Sequence, residues 1–141
     1  MRKNSAAFCL AVLCLTFAGC GGRNYPGEQR FPLSGSVTVD GQPMEAGVIS
    51  FLPQGEGRVS GGPIKGGTYS ITEETGATAG NYRVEIHWSK PTGKKLLDPD
   101  TGEEIMDELK EGLPDKYHKN SELTAEVSAD MTTFDFDLQP N

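Results

Sequence analysis

Cysteine is nearly absent from this chain. Its 141 residues hold three, Cys9, Cys14 and Cys20, all within the first twenty positions. No pair is left in the body to form a disulfide, so whatever folds there is held by its core alone. Histidine is scarcer still, with His87 and His118 only. A zinc site wants three or four ligands, and nothing in the spacing pairs these two. Positive charge is in deficit: 13 Lys and Arg stand against 20 Asp and Glu, a formal net charge of −7. That balance argues against nucleic acid, which rewards clustered Lys and Arg, and against docking on anionic lipid headgroups. Long apolar runs are missing too. The longest covers about 10–12 residues, whereas a bilayer-crossing helix needs about 20. No nucleophile elbow or comparable catalytic signature is present, and no repeat of fixed period.

What is present at the start is ordered. Arg2 and Lys3 form a positive head, Ala6–Leu15 an apolar run, and Thr16-Phe17-Ala18-Gly19 a stretch leading to Cys20. This is the layout of an export signal. Ala18, Gly19 and Cys20 match the close of a bacterial lipoprotein signal, which this segment resembles; Phe17 stands where that family usually has Leu. The resemblance implies a diacylglycerol on the Cys20 sulfur and cleavage between Gly19 and Cys20. Buried acyl carbons contribute about 0.8 kcal/mol per methylene, so two or three chains hold firmly where one does not. An ordinary secretory signal cut after Ala18, and an uncleaved anchor, are the alternatives. Loss of Cys9 and Cys14 with the leader leaves Cys20 as the one cysteine. Loss of Arg2 and Lys3 leaves 11 basic against 20 acidic residues, a net −9. Gly21 rather than Asp follows the cysteine, and by resemblance to lipoprotein sorting this favours the outer membrane.

Residues 20–32 read as a flexible tether, rich in glycine and polar residues and without apolar periodicity. From Cys20 to Leu33 it extends at most about 40–45 Å. From Leu33 to the end, residues 33–141 read as one domain written in period two. Leu33, Gly35, Val37 and Val39 alternate with Ser34, Ser36 and Thr38; Asp40-Gly41 is a two-residue hairpin signal. Val48–Leu52 reads as a strand covered on both faces. Tyr82, Val84, Ile86 and Trp88 alternate with Arg83, Glu85 and His87, which is the clearest strand of all. Leu123, Ala125 and Val127, then Phe134, Phe136 and Leu138, repeat the pattern. Charge on one face and apolar bulk on the other is what a half-buried antiparallel strand requires. The expected fold class is all-β, a small antiparallel β-sandwich of about seven strands.

Leu33–Met44 and Ala46–Pro53, with Gly66-Gly67-Thr68-Tyr69-Ser70-Ile71 and Gly80–Ile86, resemble the strands of carboxypeptidase regulatory-like domains, which are transthyretin-like sandwiches. Pro114–Tyr117 and Phe134–Leu138 are similar to the tail of short bacterial lipoproteins carrying that domain. The resemblance implies a fold, not an activity. One transthyretin-like branch hydrolyses 5-hydroxyisourate and ends in Tyr-Arg-Gly-Ser; this chain ends Asp137-Leu-Gln-Pro-Asn141, so that activity is not carried over.

Residues 89–120 interrupt the alternation. Thr101 and Glu104 fit a capping box, Ile105 and Leu109 share a helical face, and Gly112 with Pro114 would stop a helix. A short helix over Gly102–Glu111 is therefore expected. Asp98 and Asp100 open a calcium-like pattern, but Thr101-Gly102 shifts the rest and Pro99 restricts the turn, so a solvated turn is favoured and no metal or cofactor is expected. His87 reads as a surface histidine. Trp88, with Tyr82 and Tyr69, reads first as core and second as a ligand surface for sugar. The chain is expected to be non-enzymatic, a structural or interaction module moored to the membrane through acylated Cys20. Its expected partner is an envelope protein or glycan. The alternatives are a carbohydrate- or peptide-binding module using the insertion or a sheet edge, and a hydrolase if a histidine were to meet a serine and a carboxylate in a cleft.

Overall fold

The computed structural model describes residues 28–140. Gly19 and Cys20, the expected cleavage and lipidation site, and most of the tether lie outside the described residues. Among the described residues twelve strands follow in order: β1 Arg30–Phe31, β2 Leu33–Val39, β3 Gln42–Pro43, β4 Ala46–Pro53, β5 Ser60–Lys65, β6 Thr68–Ile71, β7 Ala77–Thr78, β8 Gly80–His87, β9 Ser89–Leu97, β10 Glu104–Glu111, β11 Thr124–Val127 and β12 Phe136–Leu138. Seven of them form one continuous path, β11-β8-β4-β5-β6-β2-β12, with β3 beside β2. The all-β class is as the alternation predicts.

The path is curled. Strand β5 pairs with β4 from Ala46↔Lys65 to Phe51↔Ser60, but with β6 only at Ile64↔Tyr69 and Lys65↔Thr68. Beyond that corner the sheet folds back over itself, and the two inner faces close on Phe51. Its ring lies 6.0 Å from that of Tyr69, 6.4 Å from Tyr82 in an edge-on contact and 6.1 Å from Phe134. Such tilted aromatic pairs add about 0.5–1.5 kcal/mol each beyond the area they bury. Tyr82 satisfies its hydroxyl inside the core by donating to the Thr78 carbonyl at 3.1 Å, with Thr78 Oγ1 at 2.9 Å.

Strand β2 serves three neighbours, β3 pairing antiparallel with its last two residues. Its first half, Leu33–Ser36, pairs antiparallel with β6; its second half, Val37–Val39, pairs with β12 in parallel. That one parallel ladder departs from the antiparallel expectation. Gly35 sits at the switch, where a Cβ would collide with the carbonyl oxygen of Phe134. The same oxygen accepts the Tyr69 hydroxyl at 2.8 Å. Outside the core, Asp135 accepts from the Ser36 amide and hydroxyl at 2.7 Å, and Asp137 from the Thr38 hydroxyl at 2.7 Å. At Asp40-Gly41 both central residues have positive φ, +50° and +73°, as a two-residue hairpin requires.

Three expectations are corrected. Strand β4 is covered on one face only: Ile49 and Phe51 are fully buried while Val48 is 49% exposed. It has strand neighbours at both edges, but the fold has only two layers, and Val48 faces outward. The folded body starts before Leu33, because Arg30–Phe31 pairs with Ala77–Thr78 and the Arg30 guanidinium donates to the Glu74 carbonyl. Finally, Gly102–Glu111 is not helical: Glu104–Glu111 is strand β10, paired antiparallel with β9. Among the described residues no helix is long and apolar enough to cross a membrane.

Candidate functional site: a projecting hairpin and its root

Strands β9 and β10 form a two-stranded sheet of their own, joined to no other strand among the described residues and packed chiefly on one another. Nearly every residue of both is exposed. The turn between them is made by Asp98-Pro-Asp-Thr-Gly102. Asp98 Oδ1 accepts from the amides of Asp100 at 2.8 Å and Thr101 at 3.0 Å, and Gly102 takes a φ of +71°. Those amide bonds hold the Asp98 carboxyl below its ordinary range. Asp98 thus spends its oxygen on the backbone as an Asx turn, and Asp100 contributes its amide to that turn. Thr101 accepts from the Glu103 amide at 3.3 Å, not from Glu104 as a capping box would have it. Among the described residues no group of three or more His, Cys, Asp or Glu is gathered as a metal site.

The arm is fastened at its root by one carboxylate. Glu111 Oε1 accepts the amides of Trp88 at 2.9 Å and Leu113 at 3.0 Å, and Glu111 Oε2 lies 2.8 Å from His87 Nδ1. A carboxylate only accepts, so that imidazole nitrogen carries the proton. Burial pushes Glu111 upward, but the bonds from Trp88, His87 and Leu113 and the charge of His87 outweigh it and leave the carboxyl below its ordinary value. The Gly112 amide closes the root by donating to the Trp88 carbonyl at 2.8 Å.

The two histidines, 31 positions apart in sequence, stack here with ring centroids 5.0 Å apart and planes at 30°. His118 is 3% exposed, and its Nε2 donates to the Leu113 carbonyl at 3.0 Å. Its Nδ1 is buried with no hydrogen-bond partner among the described residues. Sequence reasoning treated these residues separately. The short turn Asp115–Tyr117, which returns His118 to the end of β8, leaves no periodic trace. Tyr117 pins that turn, donating to the Gln139 carbonyl and accepting from its amide, both at 2.8 Å. Beside the histidines is an open hollow of about 390 Å³ lined by His87, Glu111, Leu113, Asp115, His118 and Lys119. It joins histidines to carboxylates and a lysine, and among the described residues no serine or threonine lines it.

Trp88 continues the β8 alternation and is partly buried against the core. The Lys90 ammonium lies 4.1 Å over its ring, so its outer face is covered by the arm's own cation. Tyr69 and Tyr82, the other two members of the aromatic set, are both buried, in line with a core role. No family model, no curated protein and no solved structure matches this chain.

Proposed function

We propose that this chain is a non-catalytic, lipid-anchored cell-envelope domain, an interaction module that is moored at Cys20 and presents the β9–β10 arm to a partner. The observation that carries the reading is the arm. A two-stranded hairpin is marginal in water by itself, yet this one stands away from the sandwich with Leu97, Ile105, Met106 and Leu109 each more than half exposed. Apolar surface kept on an isolated element marks a contact surface. The leader pattern ending Ala18-Gly19-Cys20 supports the anchor, and the strand motifs support a transthyretin-like, carboxypeptidase regulatory-like sandwich. Tethering restricts the domain to one surface and raises its effective concentration toward partners there. In cells fed a labelled fatty acid, the protein is expected to carry label at Cys20 and to lose it in Cys20→Ala. An unlabelled, soluble native product would reject the anchor.

A further inference from the structure

We infer that the outer edge of β11 is a peptide-binding site: an extended segment of a partner protein adds there as a short antiparallel strand, with an apolar side chain in the seam beside Phe134 and a lysine or arginine against Glu126. The site lies on the sandwich, so it goes beyond the reading of the arm and does not depend on it.

The curled sheet does not close. Strand β11 is one end of its path and pairs with β8 alone among the described residues. The Val84 amide donates to the Leu123 carbonyl at 2.8 Å, and these two residues continue the register of the β11–β8 ladder. In an antiparallel ladder, residues that exchange bonds with the opposite strand alternate with residues that do not. Ala125 and Val127 therefore bond to β8, and the amides and carbonyls of Thr124 and Glu126 point away from it. Neither has another backbone partner among the described residues. The edge is also unguarded. Thr124–Val127 holds no proline, no lysine and no bulge, which are the usual devices against strand addition. Its 4 residues admit only a short segment.

A hollow of about 410 Å³ opens beside this edge, lined by Thr124, Ala125, Glu126, Ser128, Met131 and Phe134. That falls within the range of about 300–1,000 Å³ that ligand pockets span. The turn after β11 is closed by Ser128 and Met131, each donating its amide to the other's carbonyl, and it carries the chain across to the second layer. There Phe134 donates its amide to the Ser34 carbonyl of β2. Met131 is 54% exposed, and Phe134 is only partly buried. The hollow is thus the mouth of the seam between the two layers. Ala125 faces inward along it, and its lone methyl leaves the space open.

Strand geometry defines the occupant. Antiparallel addition is the more stable per residue. A first peptide residue opposite Glu126 and a third opposite Thr124 exchange main-chain bonds with them. The second, opposite Ala125, turns its side chain to the inner face and into the hollow, where Met131 and Phe134 select an apolar group. The first residue lies beside the Glu126 carboxylate on the outer face, and no cation pairs with Glu126 among the described residues. Opposite charges directly across a ladder stabilise it, so a lysine or arginine is selected there. Main-chain bonds supply affinity, and the hollow and the charge supply specificity.

The test uses the full chain in detergent with isotope-labelled amides, and the end-blocked peptide Ser-Lys-Leu-Thr-Ser as the probe. Its Lys, Leu and Thr fall opposite Glu126, Ala125 and Thr124. The Thr124 and Glu126 amide signals are expected to shift and to gain protection from exchange, with a Kd on the order of 0.1–1 mM for so small a contact. Methylating the peptide nitrogen of its Lys or Thr should weaken binding by about tenfold or more, whereas methylating that of its Leu, which points away from β11, should not. Glu126→Lys should weaken binding of this peptide and strengthen that of Ser-Asp-Leu-Thr-Ser, a reversal that a folding defect could not produce. Thr124→Pro should abolish binding and leave Tm within a few degrees, because proline is tolerated at the first residue of a strand with its nitrogen facing outward. Unshifted Thr124 and Glu126 signals at about 5 mM peptide, equal losses from methylation at every position, or no reversal in Glu126→Lys would overturn the proposal. So would a peptide-free chain in which Thr124 and Glu126 are as protected as Ala125 and Val127, since the edge would then already be taken by another part of the chain or by a second copy.

Discussion

Glu111 shows how one side chain can fasten an element. Three donors converge on its carboxylate, and together they hold its titration below the ordinary value of 4.5. A carboxylate depressed in the folded state contributes stability that is fully present above the unfolded value and is lost as pH falls through the folded one. Below about pH 4.5, protonation is therefore expected to loosen the Trp88 and Leu113 amides first. Hydrogen exchange at these two positions, compared between neutral pH and pH 3 after correction for intrinsic rates, should show protection falling there before it falls in β4 and β8. Glu111→Ala should reproduce the loss at neutral pH, at a cost of about 1 kcal/mol, because the site is partly exposed and water replaces part of the bonding. Equal protection in the variant and the native chain would contradict the fastening role.

At the scale of the element, the arm and the sandwich are separable in energy. Strands β9 and β10 bury no side chain in the shared core, whereas β8 sends Tyr82, Val84 and Ile86 into it. Local opening should follow that difference. Limited proteolysis is expected to cut first within Ser89–Glu111, leaving the rest of the folded body intact, and a short Gly-Asn linker in place of Lys90–Lys110 should shift Tm by no more than a few degrees. An arm that resisted cleavage as well as β4 and β8 would show that it is packed more firmly than its exposure implies. The misreading of this element as a helix has a simple cause. A spacing of four, as between Ile105 and Leu109, falls on one face in a helix of period 3.6, whereas the structure makes the segment a strand paired with β9, with a register shift at Ile105. The deciding signal was the turn: Asp98 ahead of Pro99, with Gly102 at positive φ, closes a hairpin loop.

At the scale of the molecule, the curl of the sheet makes Phe51 the point where both layers meet. Removing its ring would forfeit three aromatic contacts and leave a cavity that strands cannot close without shifting. Phe51→Ala is expected to cost about 3–5 kcal/mol, measured by denaturant unfolding. With no disulfide in the body, that is a large share of the roughly 5–15 kcal/mol that holds a domain together. A loss under about 1 kcal/mol would mean that the curled arrangement is wrong.

The sequence by itself determined the extended nature of the body, since alternation such as Tyr82-Val84-Ile86 against Arg83-Glu85-His87 is a local property of a pleated strand. It also determined the Asp40-Gly41 turn, because only a few residues tolerate positive φ. Only the tertiary structure decided which strands adjoin. The parallel pairing of β12 with β2 and the corner at β5 depend on contacts across the chain that no local pattern encodes. The stacking of His87 on His118 and the grip of Glu111 on the arm were likewise settled there, because each joins residues whose separation in sequence carries no period. Exposure of Leu96, Ile105 and Met106 belongs to the same class. An apolar residue is written identically whether it faces a core or open water, and only the packing of the whole chain tells the two apart.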